Sequence, residues 1–291
     1  MSATTLRAVG IVTLVAAALL GSAYALGRSL MPETPPRNAS VTADGPHYAD
    51  QPPGSQSATP PPPPSPSPTA DSSPSARSRD QQQPFPFGEG DGPFGSLTST
   101  GSSRIALTFD DGPDPQYTPQ VLALLKQHGV KATFCLVGEN AQSFPELVRD
   151  IVADGHSLCN HSWSHDLDLG QRSPDVIRND LGRTNEAIRA AAPNARIAYF
   201  RQPGGNWTAP VVSVCEDMGM APLHWAVDPS DWQVPGAAQI TTTVMTETGP
   251  GSIVLMHDAG GDRAGTVEAL QRLLPELMSR YQLEALPTGT T

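Results

Sequence analysis

Residues 104–129 read RIALTFDDGPDPQYTPQVLALLKQHG, and the fold is decided there. Arg104–Phe109 is a β-rich run that predicts a strand. Thr118-Pro119 marks a helix start, with proline in the first turn where its missing N–H costs nothing. The helix runs through Val121, Leu122, Leu124 and Leu125 and stops at Gly129. A strand, a short loop and a helix make the unit from which parallel α/β folds are built. That unit does not explain Asp110-Asp111 at the end of the strand. Two adjacent carboxylates repel each other, and forming a strand needs neither.

The unit repeats along the chain. Further strands are predicted at 131–137, 156–160, 197–200, 221–226, 252–256 and 282–286. Helices are predicted at 145–154, from Ser173-Pro174 to before Pro193, and at 209–218, 237–247 and 266–281. Seven strands alternating with helices predict an α/β fold with a parallel sheet, best closed as a barrel. Functional residues of such barrels gather at the C-terminal ends of the strands. There is no GxGxxG or GxxxxGK[ST], so a nucleotide-binding fold has no support, and no G-x-S-x-G, so a serine hydrolase has none either.

Composition divides the 291 residues unevenly: 17 of the 31 prolines fall between Met31 and Thr100. That stretch has too few large apolar residues to offset the entropy of ordering, so residues 28–103 are expected to be a disordered linker. Its Pro60–Pro64 run favours extended polyproline conformations. Residues 1–27 read as an export segment: Arg7, the apolar stretch Ala8–Leu20, then Ala23-Tyr24-Ala25 as a cleavage pattern. It serves either as a cleaved signal peptide or as an uncleaved membrane anchor. Both place the folded domain, residues 104–291, outside the cytoplasm. At ~3.1 Å per residue the linker could reach up to roughly 200 Å, which suits an anchored enzyme working on a cell wall.

The net charge is −11, and from Arg104 onward 13 basic against 22 acidic residues leave −9. A nucleic-acid partner is excluded, because phosphate contacts need clustered Lys and Arg. A monomer is expected. Of three cysteines, Cys135 and Cys159 sit in consecutive predicted strands. They form a disulfide, or all three are buried thiols.

Past the third strand stands His161-Ser162-Trp163-Ser164-His165. Two imidazoles four residues apart can share a cation, but Ser162 occupies the place of the glutamate of H-E-x-x-H, so this is no zincin motif. An aspartate at another strand end completes a three-ligand site with an open position for water, the arrangement of hydrolytic zinc sites. Successive residues leaving a strand point in different directions. One of the paired aspartates can therefore bind metal while the other faces the water. Three more constellations fall at strand ends: FRQPGGNW at 200–207, DPSDW at 228–232 and IVLMHD at 253–258.

TFDDGP, HSWSH, FRQPGG, DPSDW and IVLMHD, in this order, resemble the five motifs of NodB-type polysaccharide deacetylases, carbohydrate esterase family 4. The resemblance spans about residues 104–286 and implies a distorted (β/α) barrel with seven strands. It implies that Asp111, His161 and His165 bind a divalent metal, usually zinc, with cobalt as the alternative. Asp110 would be the general base, Arg201 its partner, His257 the general acid and Asp231 the carboxylate that orients and charges His257. Trp232 and Leu255 would line the pocket for the acetyl methyl group, and the Gly204 backbone N–H would bind the oxyanion.

One position departs from the pattern: the family often carries tyrosine where Gly204 stands. An aromatic wall is then missing unless Trp207 fills the space, and a more open cleft is expected. The substrate implied is an acetylated extracellular polysaccharide, losing N-acetyl groups from GlcNAc or MurNAc units of peptidoglycan or chitin-type oligomers. O-deacetylation of acetylxylan is the enzymatic alternative. A non-catalytic carbohydrate-binding protein is the alternative of another class, and it predicts loss of a ligand, base or acid. His156, His224 and Trp225 read as core residues, His128 as a helix-end residue, Asp114 as a turn residue and Asp258 as a loop support. Trp163 shapes the cleft or the core.

Overall fold

The computed structural model of the chain describes residues 90–288. The export segment and most of the proline-rich linker lie outside the described residues. Six parallel strands form one sheet in the order β5-β4-β3-β2-β1-β6. They are β1 (Ala106–Asp110), β2 (Thr133–Leu136), β3 (Ser157–Asn160), β4 (Ile197–Phe200), β5 (Ala221–Pro222) and β6 (Ile253–His257). The helices are α1 (Thr118–Gln127), α2 (Gly138–Ser143), α3 (Pro145–Ala153), α4 (Pro174–Ala191), α5 (Ala209–Asp217), α6 (Ala237–Glu247) and α7 (Ala264–Arg280).

Alternation along β1 explains the two-layer core. Leu107 and Phe109 join Phe134, Leu158, Val121, Leu125 and Leu270 in the layer between sheet and helices. Ala106 instead joins Cys135, Cys159, Tyr199, Leu223 and Ile253 in a second, smaller cluster. Successive side chains of a strand point to opposite faces, so Thr108 and Asp110 share the face of Ala106 and project into the curl of the sheet. Both faces being covered, the strands are apolar nearly throughout, as buried parallel strands are.

The curl continues beyond β5. The carbonyl of Ile253 accepts from Ala226 and Val227, and the Leu255 N–H donates to Val227, pairing the chain after β5 with β6. Cys135 and Cys159 are register partners in β2 and β3, and they form a disulfide in the interior cluster. Cys215 is a buried free thiol.

Several expectations are corrected. The seventh strand at 282–286 is reduced to one bridge, Ile105 with Leu283, so the sheet is a six-stranded incomplete barrel. The fifth strand stops at Pro222 instead of reaching Ala226: past it the Leu223 N–H still bonds to the Phe200 carbonyl, and the chain then pairs with Leu97. Helix α2 was not foreseen; its six residues, Gly-Glu-Asn-Ala-Gln-Ser, carry little apolar periodicity. The folded unit also begins before Arg104. Leu97 bridges to Leu223 and Ser99 to Ser252, and Ser96 is buried, so residues 90–103 belong to the fold and not to a linker.

Candidate active site

Asp110 and His257 are register partners at the C-terminal ends of β1 and β6. Asp111 follows β1, His161 follows β3 and Arg201 follows β4. The five motifs thus meet at one end of the sheet, where the strand-end rule places them. They border a cleft of about 440 Å³ lined by Asp110, Asp111, His161, His165, Leu255 and His257, with Gly204 and Trp232 at its walls.

Asp111, His161 and His165 each offer a ligand atom, all within 4.8 Å of one another. Asp111 Oδ1 lies 3.4 Å from His161 Nε2 and 3.3 Å from His165 Nε2. That oxygen is buried and has no hydrogen-bond partner. A buried carboxylate oxygen faced by two imidazole nitrogens, without a hydrogen bond, fits a cation between them. His161 Nδ1 donates to the Arg201 carbonyl at 2.8 Å, which turns Nε2 toward the site. Burial would lower the His161 pKa, but the charges of Asp110 and Asp111 raise it overall. The same negative field attracts a metal ion. Burial would raise the Asp111 pKa, yet the facing imidazoles, His161 above all, bring it down to about 2.

The backbone around these ligands is unusual. Asp111 and His165 have φ of 73° and 57°, a left-handed region that costs a non-glycine residue energy and collects at functional sites. Gly260 closes over the carboxylate: a Cβ there would lie within van der Waals overlap of Asp111 Oδ2, so no side chain is tolerated.

Asp110 has a different neighbour. Arg201 Nη1 donates to its Oδ1 at 2.7 Å, while Oδ2 lies 3.6 Å from His161 Nε2 and faces the cation site. Arg201 is fully buried and spends three of its other four donors on Thr108 Oγ1 and the carbonyls of Leu223 and His224. A buried guanidinium so fully engaged holds the carboxylate in one orientation.

Opposite stands His257. Its Nδ1 is 2.7 Å from Asp231 Oδ1, and Asp231 Oδ2 accepts from the His257 backbone N–H and from Thr266 Oγ1. Burial lowers the imidazole's pKa, but the Asp231 hydrogen bond and charge, with Asp110 and Asp111, lift it to about 9. With Nδ1 engaged, Nε2 is the atom left to the cleft.

Trp207 is a correction. It is buried, packs edge-on to Phe200 and donates Nε1 to His224 Nδ1 at 3.1 Å, so it does not line the cleft. Trp163 is buried too, under the Arg183 guanidinium, with Nε1 donating to Glu139. Asp258 supports its loop by accepting from Thr118 Oγ1, and burial with the nearby Asp111 and Asp110 charges pushes it up to about 7. Asp114 caps the turn into α1 through the N–H groups of Gln116 and Tyr117. His156 is buried and accepts from the Ala132 N–H.

Sequence reasoning missed Leu167, Gln202, Asn206, Trp225 and Asp228 as lining residues. The signal for Trp225 was there: with β5 ending at Pro222, it stands in a strand-end loop just before DPSDW.

A carboxylate paired to arginine and an imidazole paired to aspartate, beside an Asp–His–His cluster that fits a cation, border one cleft, and hydrolytic sites are built from such groups. The sequence pattern of the polysaccharide deacetylase family matches residues 98–223. The chain is 42% identical over 202 residues to a chitooligosaccharide deacetylase of Sinorhizobium fredii, covering 65% of this chain and 93% of that one. It is 38% identical over 179 residues to a peptidoglycan-N-acetylglucosamine deacetylase of Bacillus cereus, covering 61% and 64%. The solved structure of the Bc1960 peptidoglycan N-acetylglucosamine deacetylase superposes with a TM-score of 0.62 at 37% identity, covering 66% of this chain and 89% of that one. The chain belongs to the NodB-type polysaccharide deacetylases, carbohydrate esterase family 4.

Proposed function

We propose that this polysaccharide deacetylase removes N-acetyl groups from GlcNAc units of a chitin-type or peptidoglycan glycan outside the cytoplasm, with a divalent metal, zinc first, as cofactor. The observation that carries the reading is the Asp111–His161–His165 cluster opening onto the cleft that Asp110 and His257 share. The names of its relatives support the amino-sugar substrate, and the interior disulfide fits an oxidising compartment.

A cation held by Asp111, His161 and His165 would supply Lewis acidity to the acetyl carbonyl and the attacking water. Asp110 Oδ2, held in place through Oδ1 by Arg201, takes the proton from that water. The Gly204 backbone N–H stabilises the oxyanion as the carbonyl carbon becomes tetrahedral. His257 Nε2 then gives its proton to the amine nitrogen as the C–N bond breaks, releasing acetate and a free amino sugar. Trp232 and Leu255 enclose the acetyl methyl group.

Acetate release from chitohexaose, peptidoglycan and acetylxylan, with and without a chelator, tests the function. Release from an N-acetylated glycan, abolished by the chelator and restored by zinc, is expected. Release from acetylxylan alone would replace the N-acetyl reading by the O-acetyl one. No release from any glycan by zinc-loaded protein would leave a binding protein.

His257 works protonated, so its activity falls as pH rises through its pKa. Asp231→Asn removes the charge that lifts this pKa. The alkaline limb of kcat/KM against pH should move down by about one unit or more. An unmoved alkaline limb would take the acid role from the His257–Asp231 pair.

A further inference from the structure

The place of the family's usual tyrosine is not open space. Gly204 and Gly205 both have left-handed φ, 63° and 66°. A Cβ on Gly204 would lie 3.0 Å from Leu167 Cδ2, and one on Gly205 only 2.8 Å from Trp225 Cη2. The room that side chains at 204 and 205 would take is filled by a leucine from the loop after His165 and a tryptophan from the loop after β5. Both line the cleft. The cleft beside the two glycines is therefore walled by Leu167 and Trp225.

We infer that Trp225 is the aromatic platform against which the sugar ring carrying the scissile acetyl group packs, with Leu167 as the second apolar wall. A pyranose has C–H groups on its ring faces and hydroxyls around its rim. It therefore matches an aromatic wall flanked by polar groups. The cleft supplies the polar groups: Asn206 and Asp228 share its lining with Trp225. Leu167 and Trp232 are 49% and 52% exposed, large apolar groups left at its walls for a ligand to cover.

The indole is held rigidly. The His224 ring packs on it with centroids 4.0 Å apart, and His224 is pinned from behind by Trp207 Nε1 and Arg201 Nη2. Trp207 thus serves the wall without touching the cleft: it braces His224, and His224 braces Trp225. A preorganised aromatic loses little entropy on binding, which concentrates affinity in it.

This inference rests on the glycan-deacetylase reading, and the test separates the two. Trp225→Ala, Trp225→Phe and Gly205→Ala are compared with the unaltered enzyme for kcat and KM on chitohexaose and on a small aryl acetate lacking a sugar. Bound zinc is measured for each. Gly205→Ala keeps the tryptophan but pushes a methyl group against it. For Trp225→Ala, KM for chitohexaose should rise about tenfold or more, while kcat/KM for the aryl acetate changes far less. Phenylalanine should restore most of the loss, and Gly205→Ala should reproduce it in part. Equal losses on both substrates, or an unchanged KM for the glycan, would overturn the platform. If Trp225→Ala fails to fold, the Phe and Gly205→Ala variants decide on the same criteria. An unaltered enzyme inactive on every glycan would instead overturn the functional reading itself.

Discussion

Asp110→Asn is expected to bind zinc as the unaltered enzyme does and to lose about 10²–10⁴-fold in acetate release, the usual worth of a general base. Asparagine keeps the shape of the side chain, and its Oδ1 can still accept from Arg201 Nη1, which lies 2.7 Å from that oxygen now. It cannot accept a proton from water at neutral pH. Asp110 supplies no ligand atom to the Asp111–His161–His165 cluster, so metal content should hold. Zinc content and initial rate, measured on the same sample, check both halves. Near-normal turnover would remove Asp110 as the base. Loss of zinc would make it a ligand.

Asp111→Ala should do the reverse on the first count: zinc is lost, and activity with it. Replacing even the outer partners of a metal ligand costs 10–100-fold in affinity, so removing the only carboxylate of the three should exceed about 100-fold. The site left behind is two imidazoles, one of them partly exposed. The substitution also sits at a φ of 73°, which alanine adopts no more easily than aspartate. Asp111→Asn, which keeps the local hydrogen-bonding propensity, is the companion variant. Isothermal titration with zinc reads the affinity directly. A variant that binds zinc as tightly as the unaltered enzyme would undo the ligand assignment.

The two aspartates point in different directions, which is what the proposed division of work between them requires. Asp110 is the last residue of β1 and follows the alternation inward to a buried arginine, whereas Asp111 has left the strand in a left-handed turn and faces the histidines. That split is written locally, in a strand end followed by glycine and proline, which is why it was legible. The same holds for His161, Arg201 and His257: each follows or ends a predicted strand, so an error of one or two residues in the boundary does not move it off the functional face.

What was not legible depended on contacts between distant segments. Trp207 looked free to fill a gap, but the left-handed pair Gly204-Gly205 sends the chain back so that its indole packs on Phe200 and under His224. Trp225 looked like a strand residue because the apolar run continues to Ala226. Past Pro222 only the Leu223 N–H still bonds to β4, at Phe200, and His224 turns to the Leu97 carbonyl, which leaves Trp225 at the cleft. The seventh strand is reduced to a bridge: segment 282–286 pairs its backbone with Ile105, while Leu286 is tied by its N–H to Thr133 Oγ1 and by its carbonyl to Ser157 Oγ, side-chain bonds between distant segments. The disulfide was legible only as an adjacency, because register decides whether two cysteines in neighbouring strands face each other, and composition does not report register.

The cation site is the central claim, and anomalous diffraction at the zinc edge from zinc-soaked crystals tests it most directly. The account predicts one strong peak at about 2.0–2.2 Å from an Asp111 carboxylate oxygen and from the Nε2 atoms of His161 and His165, with Asp110 outside the first coordination shell. No peak at that position, or a peak whose protein ligands include Asp110 in place of Asp111, would contradict it.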